Sequence, residues 1–268
     1  MTGSWGRRIV GLAALGGFVL LFAPIVVIVA FSFNEPAGRY NLVWQRFTME
    51  NWLHPFEREE LTAAVLFSLR IAGAASLVAG VLGTLVALAL VRHRFRGGAL
   101  VDLLLVLPLT TPEIVMGSSL ALLFLDLGVD RGPLTILLAH SMFCLSFVAL
   151  TVKARLRGID WTLEDAAMDL GAPPWRTFRT VTFPMVVPGV VAAMLLSFSL
   201  SMDDVIITFF VSGDGDANFP KYVYGSFQRE LAPQVHVLST ALLVLSLGLL
   251  ALSVVWQRRR ATLSPGRV

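Results

Sequence analysis

Long apolar runs separated by polar stretches dominate the chain. Runs of about 20 apolar residues or more are long enough to cross a bilayer as helices. The pattern predicts six such spans, at residues 9–33, 61–91, 99–125, 134–152, 185–210 and 237–256. Arg7 and Arg8 precede the first run as in a signal peptide, but its length and the lack of a small-residue cleavage site favour a retained span. The sequence therefore predicts an all-α membrane protein in which residues 1–268 form a single transmembrane domain.

Basic residues predict the orientation of these spans. The N-terminus, residues 92–96, residues 153–179 and the C-terminal tail carry 14 of the 21 Lys and Arg residues, against 6 in the opposite connecting segments. Because basic loops stay in the cytosol, both termini and the loop 153–184 are predicted to be cytoplasmic. The basic residues flank apolar runs and form no continuous patch, so the sequence does not indicate a nucleic-acid partner.

Composition excludes several classes of protein. Hydrophobic residues make up 56% of the 268 residues and charged residues 15%, which is too apolar for a soluble domain. The single cysteine, Cys144, permits no intrachain disulfide, and no metal-ligand spacing occurs. No G-x-x-x-x-G-K-[ST] sequence is present, so ATP is not expected to bind this chain by that mechanism. Any dependence on ATP must come from another subunit.

The loop 153–184 contains a predicted short helix in the sequence TLEDAAMDLGAPPWRTFRTVTFP. Thr162 is placed to act as N-cap with Asp165 closing a capping box, and Gly171 ends the helix. Small and apolar residues share one face: Leu163, Ala166, Ala167 and Leu170. Helices that lie in lipid headgroups usually carry basic polar faces and bulky apolar ones, so this acidic, small-faced helix is predicted to pack on protein.

The same segment resembles a known motif. Asp165-Ala166-Ala167, Gly171 after three residues, Val181 after nine more, and Phe183-Pro184 are similar to the EAA loop of ABC-importer permeases, with Asp165, Val181 and Phe183 as conservative departures. In that family the loop is the coupling helix, which seats in a cytoplasmic ATPase. The resemblance therefore implies ATPase-coupling roles for Glu164, Asp165, Ala166, Ala167, Leu170 and Gly171.

Three acids lie deep inside predicted spans, where ionisable groups usually mark a pathway or a pair. Asp203 and Asp204 fall about 28 Å along the fifth span, and Glu113 falls about 21 Å along the third. The run VLPLTTPEIVMG around Glu113 contains two prolines and a glycine, which predict a break in the helix. Broken helices at membrane depth are tolerated where they line a cavity, so the acids are predicted to form one chamber that attracts cations.

Other interpretations of these charged residues remain open. Arg70 reaches a similar depth and is a candidate to neutralise Glu113. Asp203 and Asp204 are also suited to cap the end of a helix. Asp102 lies near the predicted cytosolic end of its span, where it is expected to snorkel to the surface or to pair with a neighbouring Arg. His140 is expected to be a packing histidine with its polar atoms satisfied.

A wider resemblance covers the chain from about Trp52. The runs LPLTTPEIVMGSSLALLF, HSMFCLSFVALTVKARLRGID and LSFSLSMDDVIITFFVSG are similar to the spermidine/putrescine permease family. The resemblance implies the type I ABC-importer permease fold and associates five residues with polyamine passage: Glu113, Asp203, Asp204, Ser201 and Trp52. Carboxylates and aromatic rings suit a polycation, although an interfacial anchor is the alternative for Trp52.

The resemblance also implies partners and a location. These are a second permease subunit, a homodimeric ATP-binding subunit that holds ATP and Mg²⁺, an extracytoplasmic substrate-binding protein and the bacterial inner membrane. This chain is expected to bind no cofactor or metal and to catalyse no reaction. Two alternatives stay open: an importer for iron(III), a phosphonate or an amino-acid derivative, and, more remotely, an intramembrane hydrolase that uses Glu113 and Asp203 as acid and base.

Overall fold

The computed structural model describes residues 4–93 and 95–262 and is dominated by helices. A short antiparallel ladder pairs β1 (Asn34–Glu35) with β2 (Arg46–Phe47). The helices are α1 (Ser4–Phe31), α2 (Glu50–Leu53), α3 (Glu59–Arg92), α4 (Gly98–Thr110), α5 (Glu113–Asp126), α6 (Pro133–Leu156), α7 (Thr162–Asp169), α8 (Pro174–Thr177), α9 (Phe183–Asp203), α10 (Ile206–Val211), α11 (Phe219–Arg229) and α12 (Pro233–Thr262). The all-α prediction is confirmed.

Within the described residues, four helical segments are long and apolar enough to cross a membrane. They are Gly6–Phe31, Glu59–Arg92, Pro133–Leu156 and Pro174–Asp203. The predicted third span is the pair α4 and α5, bent by 110° at its break. The predicted sixth lies in α12, whose described apolar part, Pro233–Leu249, is shorter. The count of six spans therefore stays a prediction.

The fifth span differs from its predicted bounds, 185–210. The helical segment begins at Pro174, passes through a π-helical turn at Phe178–Thr182 and ends at Asp203. Proline suits the first helical turn because the amide hydrogen it lacks would have no partner there. The residues predicted to finish the span form the separate helix α10 instead. The error arose because apolar content continues through a break in the backbone.

The chain forms two compact units, of which the larger comprises residues 64–222 with those from 246 onward. Its core has two clusters of buried side chains. One joins α3, α6 and α9 through residues such as Ala79, Val148 and Ala193. The other joins α3, α5, α6 and α10, with Ile136 and Ile207 buried at its centre. Small alanines on α3 let its neighbours approach closely.

The second unit comprises residues up to 63 with 223–245. Two fully buried amides organise it. Asn34 Nδ2 donates to Asn41 Oδ1 at 2.6 Å, and Asn41 Nδ2 donates to the Phe31 carbonyl at 2.8 Å. In the same unit the apolar side chains of α1 are exposed, as in Leu20 at 79%. The buried amides give the segment after α1 a defined structure.

Two predictions about loops and the tail need correction. The segment 211–236 begins with SGDGDANFP, whose Gly, Asp, Asn and Pro content predicts a loop, yet α11 occupies Phe219–Arg229 within it. The tail 258–268, RRRATLSPGRV, has a composition that predicts disorder, but α12 continues to Thr262. Residues 263–268 lie outside the described residues. Neither α11 nor the last turn of α12, residues 258–262, is marked by a long apolar run, and such a run was the signal on which the helix predictions depended.

Candidate substrate path and coupling loop

The third span breaks where the prolines predicted. Helix α4 contains Pro108 and ends at Thr110, and Pro112 then adopts an extended conformation with φ −56° and ψ 133°. Proline cannot supply the amide hydrogen that would continue the ladder. Glu113 is therefore the first residue of α5, where its carboxylate is exposed and complements the positive end of the helix dipole.

The fifth span breaks at the paired acids. Helix α9 ends at Asp203, Asp204 is extended with φ −66° and ψ 123°, and α10 begins at Ile206. The side chain of Asp203 is exposed, whereas Asp204 is only 9% exposed. Adjacent acids therefore face different surroundings, as their position at a helix break allows.

The two breaks lie close together in the fold. An added Cβ atom at Gly117 of α5 would lie 2.9 Å from Cδ2 of Phe210 on α10, so only glycine permits this approach. The side chains of Met116 and Ile207 share one core cluster. Glu113 and Asp203 are the exposed acids at these two breaks. The structure thus brings together two of the acids predicted to attract a cation.

Asp204 is held by hydrogen bonds instead of facing solvent. Its Oδ1 accepts from the Ile207 amide at 3.1 Å, and its Oδ2 accepts from the amide and the hydroxyl of Thr208, both at 2.9 Å. His140 Nε2 lies 3.1 Å from the same Oδ2. Asp204 therefore caps the start of α10, which was the alternative interpretation of this residue.

His140 connects α6 to both sides of the break. Its Nδ1 lies 2.7 Å from Ser201 Oγ on α9, and its Nε2 lies 3.0 Å from Thr208 Oγ1 on α10. Because the Thr208 hydroxyl donates its proton to Asp204, its oxygen accepts here, so Nε2 carries a proton. His140 is buried with both ring nitrogens paired, as expected of a packing histidine, but the sequence did not indicate its partners.

Asn218 completes this arrangement from the connection after α10. Its Nδ2 donates to the Asp204 carbonyl at 2.6 Å and to Thr208 Oγ1 at 3.0 Å. We refer to Asp204, His140, Ser201, Thr208 and Asn218 as the Asp204 cluster. Nearby, outside the spans, Lys221 Nζ donates to Ser212 Oγ at 2.7 Å, and burial lowers its pKa from the usual value. No local motif marked Asn218, because its partners are distant in sequence.

Three other residues singled out in the sequence are Arg70, Asp102 and Trp52. Arg70 is exposed, and no ion pair joins it to Glu113 among the described residues, so the predicted neutralisation is not observed. Asp102 forms its ion pair with Lys153, where an arginine was expected. Trp52, in the smaller unit, donates from Nε1 to Ser32 Oγ at 3.1 Å and stacks on Phe33. A role for Trp52 in polyamine passage stays a prediction.

The loop helix α7 forms where it was predicted, with a different start. The amide and hydroxyl of Thr162 both donate to Asp160 Oδ1, at 3.1 and 2.8 Å, so Asp160 supplies the polar cap and the predicted capping box is wrong. At the other end Gly171 has φ 84°, and Ala172 donates its amide to the Ala167 carbonyl at 3.1 Å. This pattern is a Schellman ending, as predicted from Gly171.

The apolar face of α7 is uncovered. Leu163, Ala166 and Leu170 are exposed, Leu170 by 90%, and Ala167 is half-buried. The residue that α7 buries is Glu164, although an acid outside the apolar face of a helix is expected to be solvated. The helix thus attaches to its own chain through an acid and leaves its small-residue face open.

Gly171 provides a direct test of the loop geometry. Alanine at φ 84° is strained by about 1 kcal/mol, so Gly171→Ala should loosen the last turn of α7. We expect roughly 5-fold faster hydrogen exchange of the amides of residues 168–172. Gly158→Ala is the matched control, since Gly158 is in the same loop without a positive φ. Equal exchange in both variants would contradict this assignment of strain.

Among the described residues, no group of three or more His, Cys, Asp or Glu side chains could hold a metal ion. Cys144 is fully buried in the α3–α6–α9 cluster. The chemistry available at the breaks is therefore that of carboxylates and hydrogen-bond donors.

The chain is similar to known transport proteins. Residues 79–260 match the family described as "Binding-protein-dependent transport system inner membrane component". The putrescine transport system permease protein PotI of Escherichia coli (strain K12) is 39% identical over 234 residues, 85% of this chain and 83% of that protein. The spermidine/putrescine transport system permease protein PotC of the same strain is 36% identical over 264 residues, 97% of this chain and 99% of that protein.

Solved structures show the same fold. A bacterial ABC transporter involved in the import of the acidic polysaccharide alginate aligns with a TM-score of 0.69 at 15% identity, over 95% of this chain and 96% of that chain. The relatives are permease subunits, so the hydrolase interpretation is set aside. The chain belongs to the binding-protein-dependent transport system inner membrane components, a family of multi-pass ABC-importer permease subunits of the bacterial inner membrane.

Proposed function

We propose that this permease subunit carries a linear polyamine, such as putrescine or spermidine, past Glu113 and Asp203. The observation that carries the proposal is the close packing of α5 on α10 at Gly117 and Phe210, which brings together two broken spans, each with an exposed carboxylate at its break. A polyamine has separated ammonium groups and gives up its hydration only where acceptors replace it. Relatives 36–39% identical over most of the chain are named for putrescine and spermidine transport.

The Asp204 cluster has a different role in this proposal. Asp204 and Ser201 are buried and committed to internal hydrogen bonds, so they position the break and do not contact the solute. Asp203, the adjacent residue, is then presented to the path. Asp203 and Asp204 therefore have different roles in the proposal, although the sequence alone does not distinguish them.

We further propose that transport uses alternating access driven by a partner. The uncovered face of α7 suits a groove of a homodimeric ATP-binding subunit, which would hold ATP and Mg²⁺, and the orientation with α7 and both termini in the cytosol follows the distribution of basic residues. A second permease subunit would complete the path, and an extracytoplasmic binding protein would deliver the solute. This chain supplies no cofactor site in the proposal.

An anionic solute is a second candidate with a specific observation behind it. The sulfate transport system permease protein CysT of E. coli (strain K12) is 30% identical over 212 residues, 75% of this chain and 76% of that protein. Two exposed carboxylates of the same sign would repel sulfate, which favours the cation. Iron(III) is a cation as well, but its high charge would need a larger set of oxygen ligands than two carboxylates.

Uptake by the complete complex in proteoliposomes tests the substrate. We expect ATP-dependent uptake of labelled putrescine or spermidine that each unlabelled polyamine inhibits and that sulfate leaves unchanged. Liposomes without the ATP-binding subunit are the control, because the proposal requires that subunit for uptake. ATP-dependent sulfate uptake, with no polyamine uptake, would contradict the proposal.

A further inference from the structure

The loop helix α7 is joined to the distant helix α3 by an ion pair whose acid is buried and whose guanidinium is partly exposed. Arg92, the last residue of α3, donates to Glu164 Oε1 at 2.7 Å, and the Glu164 side chain is only 8% exposed. The Arg92 guanidinium also lies 5.2 Å from the ring centroid of Trp161. Glu164 Oε2 has no hydrogen-bond partner among the described residues. The positive charge of Arg92 therefore offsets the buried negative charge of Glu164. Such a carboxylate moves with its partner, because separating them would leave the charge uncompensated.

Toward its other end, α3 bonds to the connection that holds the Asp204 cluster. Ser68 of α3 is buried, and its Oγ accepts from the Phe219 amide at 2.7 Å. Phe219 directly follows Asn218, which donates to the Asp204 carbonyl and to Thr208. Helix α3 is thus connected by hydrogen bonds to the break that presents Asp203.

Between Ser68 and Arg92, α3 is one continuous helix with no proline. The two residues are about 36 Å apart along its axis at the normal rise of an α-helix. Ala79 and Ala87 are fully buried against α6 and α9, so bending of α3 would disturb a packed core. Helix α3 therefore joins α7 to the Asp204 cluster as a stiff element.

We propose that α3 transmits the movement of α7 to the α9–α10 break, with Arg92 and Glu164 as the positioning residues at the α7 end. The proposal rests on the proposed role of α7 as the contact with the ATP-binding subunit. When that contact shifts α7, the ion pair displaces the end of α3. Ser68 and Asn218 then alter the position of α10 relative to Asp203. The ion pair acts through other residues and does not touch the solute.

Thiol labelling of α10 tests the transmission without reference to the solute. Phe209 on α10 is exposed, whereas the native Cys144 is fully buried, so Phe209→Cys introduces one accessible thiol in the described residues. In the complete complex we expect its labelling rate to change between nucleotide-free and ATP-trapped states. Glu164→Gln, which keeps the shape of the side chain, should reduce that change on the order of 10-fold, as expected for loss of a coupling contact.

Charge exchange separates transmission from a structural role. Arg92→Glu alone should abolish the nucleotide-dependent change, and Arg92→Glu combined with Glu164→Arg should restore at least about half of it. Asp102→Asn is the control, since it removes the ion pair with Lys153, which joins α4 and α6 and leaves α7 untouched. It should leave the labelling change intact. Co-purification of the ATP-binding subunit checks that each variant complex has assembled.

Two results would overturn the proposal. One is an unchanged nucleotide response in assembled Glu164→Gln complexes. The other is the absence of any response at position 209 in the otherwise native complex. Neither depends on the solute, so a wrong assignment of polyamine would show in the uptake experiment and leave this test valid. ATP hydrolysed per solute transported should also rise on the order of 10-fold in Glu164→Gln and fall back in the exchanged pair.

Discussion

Replacing Glu113 by Gln and Asp203 by Asn in one chain should lower kcat/KM for polyamine uptake by at least about 100-fold. Each carboxylate can accept a charge-assisted hydrogen bond from an ammonium group, and loss of such a bond typically costs about 1.5–3 kcal/mol. A loss of about 1.4 kcal/mol is a factor of ten, so two losses multiply to two orders of magnitude or more. Both side chains are exposed at helix ends, so the complex should still fold and assemble.

The size of this effect should depend on the charge of the solute. Spermidine carries one more ammonium group than putrescine, so its kcat/KM for uptake should fall by a larger factor when both carboxylates are neutralised. Asp126→Asn is the matched control, because it removes an exposed carboxylate from the opposite end of α5. Labelled uptake into proteoliposomes gives the measurement. Uptake by the double variant within about 3-fold of the native rate would remove Glu113 and Asp203 from the path.

Features that depend on neighbours in sequence were predictable. The lengths of the apolar runs located most spans, and the prolines around Glu113 located the break between α4 and α5. Gly171 marked the end of α7 because the left-handed conformation there suits glycine. Each of these signals acts within a few residues of the structure it specifies.

Features that depend on packing were missed or misassigned. Glu164 looked like part of a solvated face, because nothing near it in sequence shows that Arg92 lies beside it. His140 looked isolated, although its partners come from α9 and α10. An acid capping a helix break and an acid facing a path have the same local sequence, which left the roles of Asp203 and Asp204 open.

The second large expected effect is on stability, because Asp204 is buried and hydrogen-bonded whereas Asp203 is exposed. Asp204→Asn should lower the free energy of unfolding by about 3–5 kcal/mol, because several buried donors would lose their acceptor and each unsatisfied buried donor costs about 1–3 kcal/mol. An asparagine has one acceptor oxygen where Asp204 has two, and its NH₂ group would face donors from Thr208 and His140. The start of α10 would lose its cap, and the break would lose its link to α6.

Asp203→Asn is the natural control, because it makes the same chemical change at the adjacent, exposed position. Thermal unfolding of the purified complex in detergent, followed by tryptophan fluorescence, should show Tm lower by roughly 10 °C for Asp204→Asn and nearly unchanged for Asp203→Asn. Uptake should show the reverse order when expressed per folded complex, since the proposal places only the exposed acid in contact with the solute. Equal Tm values for the two variants would contradict the structural role of Asp204, because the hydrogen bonds that distinguish it from Asp203 would then contribute nothing to the fold.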